Sequence, residues 1–353
     1  ELEDCQDYDL LLRFTQGLAF EQIRHIPFVL YHQRRRVRQG SLEKGQQVLV
    51  EHLANTVPGA KVVPARGVGY RVAWPLPEPL PLVSLLVPTR DRVEILRPCV
   101  DAILAHTDYP NFELLILDNQ STCAETLAYM AEVAKDPRVR VLRWNQPFNY
   151  SAINNFGARH DRGSILGLVN NDIEPINDDW LSEMVRQVSR VEIGCVGAKL
   201  YYPNGSIQHG GVILGLGGVA GHAHRFFPGT HSGYRFRLNL TQNLSAVTAA
   251  CLLVRKAVFE QVGGLNEEHL TIAYNDVDLC LKVREAGYRN LWTPFAELYH
   301  HESVSRGADD NPQKRARAQR EMHYMRKVWG DKLDNDPAYN PNLTLAYEDF
   351  SLR

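Results

Sequence analysis

Between residues 82 and 169, short apolar runs alternate with longer amphipathic stretches. The apolar runs are residues 82–87, 112–117, 139–144 and 165–169. The stretches between them, whose apolar residues recur at helical spacing, are residues 93–106, 124–134 and 151–160. Continuous apolar runs of this length are typical of buried strands, and strands that alternate with helices pair in parallel. The pattern therefore predicts an α/β fold with a Rossmann-like, mostly parallel central sheet flanked by helices.

The second half of the chain is less regular. It predicts further helices at 180–191, 258–262, 274–286 and 314–328, and further strands at 194–200, 245–254 and 290–292. Residues 205–233 are rich in glycine and histidine. This composition fits either a mobile loop over a cleft or short strands joined by glycine turns.

The first 74 residues predict a small helical region. Helices are expected at 9–23 and 41–53, with strand-like runs at 26–31 and 68–74. Four prolines then fall within seven residues, which indicates an extended linker. The predicted organisation is an N-terminal region at 1–74, a proline-rich linker at 75–81, an α/β domain at 82–311, and a C-terminal helix and tail at 312–353.

Composition excludes several classes of protein. A net charge of -2 over 353 residues argues against a nucleic-acid binder. No apolar run approaches the roughly 20 residues that a membrane span needs. The six cysteines are scattered without a CxxC pair, which argues against a zinc site and favours a reducing, cytoplasmic compartment. The chain starts at Glu1 rather than at Met, and we expect it to be part of a longer protein.

Polar residues follow the predicted strands. Thr89 and Asp91 follow the first strand, Asp118 ends the second, and Asn170-Asn171-Asp172 follow the fourth. The carboxyl ends of parallel strands meet at one edge of the sheet, where ligands bind. A carboxylate flanked by amides suits a divalent cation that holds a diphosphate, although such residues also form ordinary turns. No Gly-x-Gly-x-x-Gly follows the first strand, so the dinucleotide fingerprint is missing.

Five motifs stand in a specific order along the chain. They are Val87-Pro88-Thr89-Arg90-Asp91, Leu117-Asp118-Asn119, Asn170-Asn171-Asp172, Asn275-Asp276-Val277-Asp278-Leu279-Cys280-Leu281 and Leu298-Tyr299-His300-His301-Glu302-Ser303-Val304-Ser305-Arg306-Gly307. Together they resemble the family 2 glycosyltransferases of GT-A fold. The resemblance covers about residues 82–306 and is closest to bacterial enzymes of O-antigen and surface-polysaccharide synthesis, including rhamnosyltransferases.

The resemblance implies a nucleotide-sugar site with a divalent metal, Mn²⁺ or Mg²⁺. Asp172 matches the last acid of the family's DxD metal motif, and His300 matches a histidine that completes the site. Asn170 stands where the first Asp is usual, which implies a weaker metal site or one that leans on another group. The remaining nucleotide-sugar-binding candidates are Pro88, Thr89, Arg90, Asp118, Asn149, Asn155, Asn170, Asn171, Ser305 and Arg306. For Asp118, the alternative is an N-cap of the following helix.

The resemblance also implies an inverting transfer. Asp276 matches the catalytic base of the family's ED motif, written here as Asn275-Asp276. Such a base takes the proton of the acceptor hydroxyl while the metal stabilises the leaving diphosphate. Acceptor-site candidates are Trp180, His209 and Asp278, with a structural role as the alternative for Asp278.

The predicted function is that of a metal-dependent, inverting hexosyltransferase. The donor is a dTDP-, UDP- or GDP-sugar, with dTDP-rhamnose as a candidate, and the acceptor is a growing glycan that is lipid-linked. The expected location is the inner face of the cytoplasmic membrane, through peripheral contact. One rival is a nucleotidyltransferase, which would need a glycine-rich loop after the first strand. The other is a non-catalytic nucleotide-sugar-binding or scaffolding domain, suggested by asparagine at 170 and 275 but opposed by the retention of Asp172, Asp276 and His300.

The N-terminal residues repeat the late motifs of the chain. Gln6-Asp7-Tyr8-Asp9-Leu10 parallels Asn275-Asp276-Val277-Asp278-Leu279, and residues 26–32 parallel residues 293–300. Internal repeats of this kind indicate duplicated units. We therefore expect residues 1–74 to include the remnant of a preceding glycosyltransferase domain, with other such domains of the same chain as partners. The alternative is coincidence with an ordinary helical cap.

Overall fold

The computed structural model describes residues 5–19, 22–30, 32, 41–67, 69–301 and 311–353. Its N-terminal region contains helices α1 (Gln6–Thr15) and α2 (Ser41–Thr56) and an antiparallel hairpin of β1 (Lys61–Pro64) and β2 (Tyr70–Ala73). The region is helical as predicted, but the strand β1 was not foreseen. The first helix ends at Thr15 rather than at residue 23, and residues 26–30 form no strand.

The following strands and helices match the predicted alternation within two residues at each end. They are β3 (Val83–Thr89), α3 (Val93–Ala105), β4 (Phe112–Asp118), α4 (Ala124–Val133), β5 (Val139–Arg143), α5 (Tyr150–His160) and β6 (Ile165–Val169). Each of these strands except β5 is buried along its whole length. Burial of a strand on both faces explains why its sequence is a continuous apolar run rather than an alternating one.

The remaining elements complete the sheet and its covering helices. They are β7 (Ile173–Pro175), α6 (Trp180–Val188), β8 (Ile193–Tyr201), β9 (Ile207–His209), β10 (Val212–Leu214), β11 (Ala220–His222), β12 (Gln242–Leu244), β13 (Cys251–Arg255), α7 (Lys256–Gln261), α8 (Asn275–Glu285), β14 (Arg289–His300) and α9 (Pro312–Asp334). Residues 205–233 thus contain short strands and glycine turns, which was one of the two alternatives.

The central sheet has the strand order β12-β14-β8-β13-β6-β3-β4-β5, with β7 and β9 pairing at its margin. Four of the seven neighbouring pairs in this order are parallel. Strand β13 is antiparallel to both of its neighbours, β6 and β8. The prediction of an α/β fold with a mostly parallel sheet is therefore confirmed.

Two hydrophobic clusters cover the two faces of this sheet. Successive residues of a strand point to opposite faces. Accordingly, Leu86 belongs to one cluster, together with residues of α5, α8 and α9. Leu85 belongs to the other cluster, together with residues of α3, α4 and α6. Both faces are therefore sealed by helices, and the carboxyl edge of the parallel strands is left as the place where polar side chains gather.

Two late strands differ from their predicted bounds. The apolar run at 245–254 is a strand only from Cys251, because residues 245–250 leave the sheet and pass the polar strand ends. The short strand predicted at 290–292 is instead the twelve-residue β14, which pairs with β8 on both sides of an irregularity between Trp292 and Glu297. Proline at 294 interrupts the sequence pattern at this irregularity and hid the continuation.

No helix among the described residues is sufficiently long and apolar to cross a membrane.

Candidate functional site

The ends of β3, β4 and β6 form the floor of a polar cleft. Thr89 ends β3, and its hydroxyl oxygen accepts a hydrogen bond from the Asn171 amide at 3.1 Å. The Thr89 carbonyl accepts the backbone N–H of Asn119 at 2.8 Å. The Asn119 side-chain oxygen is buried and has no hydrogen-bond partner. The predicted meeting of these three strand ends is present, and it leaves one buried acceptor oxygen without a partner.

Asp118 is 1% exposed at the end of β4. One of its carboxylate oxygens accepts the backbone N–H of Ser121 at 2.9 Å, and the other pairs with Arg143 at 2.6 Å. It does not cap the following helix, because the N-cap of α4 is Cys123. Asp91 accepts the N–H groups of Thr122 and Cys123 just before this helix. Those bonds, led by that of Cys123, lower the pKa of Asp91. No sequence motif indicates a role for Arg143, which adds a cation beside this nucleotide-sugar-binding candidate.

Asp172 and His300 meet across the edge of the sheet. The Nε2 atom of His300 lies 3.1 Å from Oδ1 of Asp172. Both side chains are nearly buried, and this carboxylate oxygen has no hydrogen-bond partner. The Asn170 amide nitrogen lies 3.1 Å from the same Nε2 atom. The three residues that the sequence analysis linked to the metal and the diphosphate therefore converge.

Gln208 fixes the orientation of the His300 ring. Its side-chain oxygen lies 2.6 Å from His300 Nδ1, and its amide nitrogen lies 3.5 Å from the His300 carbonyl. A glutamine oxygen can only accept and an amide nitrogen can only donate, so Nδ1 carries the proton and the lone pair of Nε2 faces the Asn170 amide. This is the tautomer and the outer hydrogen bond that metal-binding histidines use. No sequence motif indicates this role of Gln208.

The chemistry of these donors fits a divalent ion. Two ligands of an octahedral ion bound at about 2.1 Å lie about 3 Å apart, which is the spacing of Asp172 Oδ1 and His300 Nε2. A carboxylate and a neutral imidazole suit Mn²⁺, and carboxylate oxygens suit Mg²⁺. No group of three or more His, Cys, Asp or Glu side chains able to hold a metal occurs in the described part of the chain. Further ligands would have to be amide, water or substrate oxygens.

Asp276 lies on the other side of Tyr150 from Asp172. Its carboxylate accepts the backbone N–H of Ala249 at 3.0 Å and that of Val277 at 2.8 Å. The Tyr150 hydroxyl donates to the Ala249 carbonyl at 3.1 Å and lies 3.4 Å from the Asn170 side-chain oxygen. Burial, and then the charges of Asp276 and Asp172, raise the pKa of this hydroxyl. The Tyr150 hydroxyl thus joins the Ala249 backbone, which binds Asp276, to the side chain of Asn170.

Residues 248–250 form the wall between these groups. The Thr248 N–H points to His209 at 3.5 Å, the Ala249 N–H binds Asp276, and the Ala250 carbonyl accepts the N–H of Asn170 at 3.0 Å. His209 is fully buried, and burial lowers its pKa well below the usual value. It therefore lies behind the wall as a neutral ring, and it has no exposed surface to offer an acceptor.

Other candidates have structural contacts. Trp180 is fully buried under the sheet and donates to Thr107, so we withdraw it from the acceptor candidates. Asp278 is 2% exposed, accepts the indole N–H of Trp329 at 2.9 Å and pairs with Lys282, which supports its structural alternative. Large apolar or acidic residues near a motif are common in the core, and sequence alone did not separate them from ligand-binding residues.

Two asparagines that were nucleotide-sugar candidates also hold the protein together. Asn149 is the N-cap of α5, where it accepts the N–H of Ala152, and its amide donates to the Glu267 carbonyl. Asn155 exchanges hydrogen bonds with the backbone of Leu265 on both of its side-chain atoms. We leave both out of the proposed site.

The remaining nucleotide-sugar candidates are Pro88, Arg90, Ser305 and Arg306. Pro88 is buried in β3, and Arg90 is exposed immediately after that strand. Ser305 and Arg306 lie outside the described residues.

The strand order and the polar strand ends define an α/β protein with polar side chains gathered at the carboxyl edge of its sheet. The profile of Glycosyl transferase family 2 matches residues 84–263, which is half of the chain. The chain therefore belongs to glycosyl transferase family 2.

Curated relatives match nearly the whole chain. It is 53% identical to the protein named "Uncharacterized protein y4gI" of Sinorhizobium fredii, over 99% of this chain and 40% of that protein. It is 40% identical to O-antigen biosynthesis protein RfbC of Myxococcus xanthus, over 99% of this chain and 28% of that protein. An N-acetylglucosaminyl-diphospho-decaprenol L-rhamnosyltransferase of Mycobacterium tuberculosis is 29% identical over 56% of this chain and 68% of that enzyme. The chain thus spans less than half the length of the first two relatives.

Solved structures support the GT-A fold. GalNAc-T7 with UDP, GalNAc and Mn²⁺ superposes with a TM-score of 0.53 at 14% identity, over 72% of this chain and 50% of that chain. A mannosyltransferase of Pyrobaculum calidifontis in complex with GDP-Man and Mn²⁺ superposes with a TM-score of 0.50 at 15% identity, over 84% and 74% of the two chains. At these identities the likeness concerns the fold alone.

The histidine-rich segment beside the cleft generates a pH prediction. His224 is 1% exposed, accepts the Tyr234 N–H at 3.0 Å and stacks on Phe350, and burial lowers its pKa from 6.5 to about 4. Because the pKa of His224 is lower in the folded state than in the unfolded state, the contribution of neutral His224 to the free energy of unfolding is complete above about pH 6.5. It is lost as the pH falls towards 4.

Urea unfolding between pH 7 and pH 4 should show this loss of stability, with a shallower pH dependence in His224→Gln. The control His106→Gln, at a half-exposed side chain, should keep the wild-type slope. An unchanged slope in His224→Gln would contradict the assignment.

Proposed function

We propose that this chain is an inverting glycosyltransferase that uses a nucleoside-diphosphate sugar and a divalent metal. The observation that carries the proposal is the arrangement of two acids in one cleft. Asp172 and His300 form a cation-binding pair, while Asp276 is held separately by two backbone N–H groups. Family membership and the GT-A fold support sugar transfer, and the arrangement supports the division of roles.

The donor is proposed to lie across the ends of β3, β4 and β6. Thr89, Asp118 and Arg143 are placed to contact the nucleoside, and the free side-chain oxygen of Asn119 is a further acceptor for it. Asp172 and His300 would hold Mn²⁺ or Mg²⁺, which supplies positive charge to the leaving diphosphate. Because all these groups stand on rigid strand ends, the donor is fixed before the acceptor arrives.

Asp276 is the proposed general base. It takes the proton of the acceptor hydroxyl as that oxygen attacks the anomeric carbon. The bond to the diphosphate breaks on the opposite side, and a glycosidic bond of inverted configuration forms. The N–H groups of Ala249 and Val277 orient this carboxylate. An inverting transfer needs only one such base. Asn275, which replaces the usual Glu of the motif, donates to the Ile272 carbonyl and supports the turn instead.

The names of two relatives suggest the substrates. One relative is named for O-antigen biosynthesis. Another is named as a rhamnosyltransferase that acts on a sugar linked through a diphosphate to the lipid decaprenol. We propose dTDP-rhamnose as the leading donor and a growing, lipid-linked surface polysaccharide as the acceptor. With such an acceptor, we propose that the protein works in the cytoplasm, with peripheral contact at the inner face of the membrane.

A non-catalytic scaffolding role is the alternative. A scaffolding domain would not need a cation-binding pair or a histidine held in one tautomer. The Gln208–His300 hydrogen bond and the unpartnered oxygen of Asp172 favour the catalytic proposal. A scaffold would also not need Asp276 to face the cleft rather than to pair with a cation.

We also propose that residues 5–32 are the remnant of a preceding glycosyltransferase domain. Helices α1 and α8 are each followed within two residues by a glycine of positive φ, Gly17 and Gly287. Helix α8 buries seven of its residues, whereas α1 buries none. Residues 26–30, which correspond to part of β14 from residue 293, form no strand, and all of them but Pro27 are exposed. This contrast is expected if the sheet that would cover them belongs to another part of the protein.

The reading frame upstream of Glu1 tests this hypothesis. We expect it to encode a strand-rich domain whose apolar runs end in acids and amides, as β3, β4 and β6 do. A frame that encodes no such domain would contradict the proposal and leave residues 5–32 as an ordinary helical cap.

Calorimetric binding of nucleotides tests the proposed donor site. UDP, dTDP and GDP should each be titrated with and without Mn²⁺ into the wild type, Asp172→Ala and the control Asp178→Ala, whose side chain is 70% exposed. We expect one nucleotide to bind with Mn²⁺ to the wild type and the control, and to lose this binding in Asp172→Ala because the cation loses its carboxylate. Equal binding by Asp172→Ala would contradict the metal site, and no binding by folded wild type would favour the scaffolding alternative.

A further inference from the structure

The C-terminal helix α9 contacts the segment that carries the proposed base at three points. The Glu321 carboxylate binds residues 271–273, the Tyr324 hydroxyl accepts a hydrogen bond from Asn266 at 2.8 Å, and the Trp329 indole donates to Asp278. Helix α9 lies outside the residues that the family profile matches. Nothing in the motifs of the sequence links it to the site.

Glu321 makes the most demanding of these contacts. It is 2% exposed, and one carboxylate oxygen accepts the Thr271 hydroxyl at 2.8 Å and the Ile272 N–H at 3.0 Å. The other accepts the Ala273 N–H at 3.2 Å and lies 3.5 Å from the Arg317 guanidinium. A buried carboxylate is costly unless hydrogen bonds and opposite charge offset its lost hydration. Three hydrogen-bond donors and the Arg317 guanidinium surround the Glu321 carboxylate and offset its lost hydration.

The segment bound by Glu321 has no regular structure of its own. Residues 271–274 lie between a loop and α8, so their N–H groups have no strand or helix partner. The Thr271 carbonyl accepts the N–H of Tyr150 at 2.8 Å, which ties the segment to the opposite wall of the cleft. Glu321 therefore supplies the acceptors that secondary structure would otherwise provide.

Asp276 follows this segment directly. The Ile272 carbonyl accepts the Asn275 amide at 2.9 Å, and Tyr274 takes a left-handed conformation, with φ of 59°, at the start of α8. Burial, and then the charges of Glu321 and Asp276, raise the pKa of Tyr274. A shift of residues 271–273 would thus rotate the first turn of α8 and move Asp276 away from the Ala249 N–H.

We propose that Glu321 is a positioning residue for Asp276. By holding residues 271–273, it sets where α8 begins and where the base faces the acceptor. It does not itself exchange a proton with the substrate. This inference rests on the proposed function, because it assumes that Asp276 is the base.

The variants Glu321→Gln and Glu321→Ala test the inference by separating kcat from donor binding. The alanine variant leaves two N–H groups and one hydroxyl without an acceptor, and misplacement of a catalytic group by about 1 Å costs about 100-fold in rate. We expect kcat to fall by about that factor in Glu321→Ala, and by less in Glu321→Gln, which keeps one acceptor oxygen. The donor KM and the calorimetric nucleotide affinity should stay within about twofold of wild type, because the donor groups stand on other elements.

A matched control removes another contact of the same helix. Lys332→Ala breaks the ion pair between α9 and Glu285, at the far end of α8 from Asp276. We expect its kcat to equal that of the wild type. If Glu321→Ala keeps the wild-type kcat, or loses kcat and nucleotide affinity in parallel with its folded fraction, the positioning role is overturned.

Hydrogen exchange of the wild type and Glu321→Ala provides a readout that needs no substrate. We expect faster exchange at residues 271–277 in the variant, with the amides of β3, β4 and β6 unchanged. Unchanged exchange at 271–277 would overturn the positioning role. If the wild type neither binds nucleotide nor transfers sugar while this exchange difference is present, the proposed function fails and the structural hold of Glu321 on the Asp276 segment stands.

Discussion

The site depends on one contact that joins distant parts of the chain, that of His300 with Asp172. His300 is the last residue of β14, and it reaches Asp172 because β14 pairs with both β8 and β7. The pair His300–Ile173 in that register brings the imidazole beside the residue that precedes β7. Without this pairing, Asp172 after the end of β6 would face an open edge of the sheet. The strand order of the sheet therefore also brings together the proposed cation-binding pair.

Buried polar side chains contribute to this protein in different ways. Asn155, Asn290 and Glu321 hold distant segments together through several hydrogen bonds each. At the strand ends, one side-chain oxygen of Asn119 and one of Asp172 lack a hydrogen-bond partner. An unsatisfied buried acceptor costs free energy unless a ligand completes it. Unpartnered oxygens also occur elsewhere, at Asn154 and Asp161, so position at the strand ends is what singles out Asn119 and Asp172.

Much of the fold was predictable because its signals are local. Strands β3, β4 and β6 are buried on both faces, so each is a continuous apolar run, and parallel pairing then brings Thr89, Asp118 and Asp172 to one edge. The groups that were missed act across long separations. Gln208 and His300 are 92 positions apart, and Glu321 contacts Thr271 from 50 positions away. No periodicity or motif encodes such contacts. Trp180 illustrates the opposite error, since a tryptophan at the start of a helix has the same sequence signal whether it lines a cleft or fills a core.

The central claim is that one carboxylate, Asp276, removes the acceptor proton while a separate pair holds the donor. The most direct measurement is sugar transfer by Asp276→Asn, a variant of the same size that cannot accept the proton, alongside its nucleotide affinity. General-base catalysis contributes about 10²–10⁴-fold. We expect a fall in kcat of that size with unchanged metal-dependent nucleotide binding. Transfer at the wild-type rate by Asp276→Asn would contradict it.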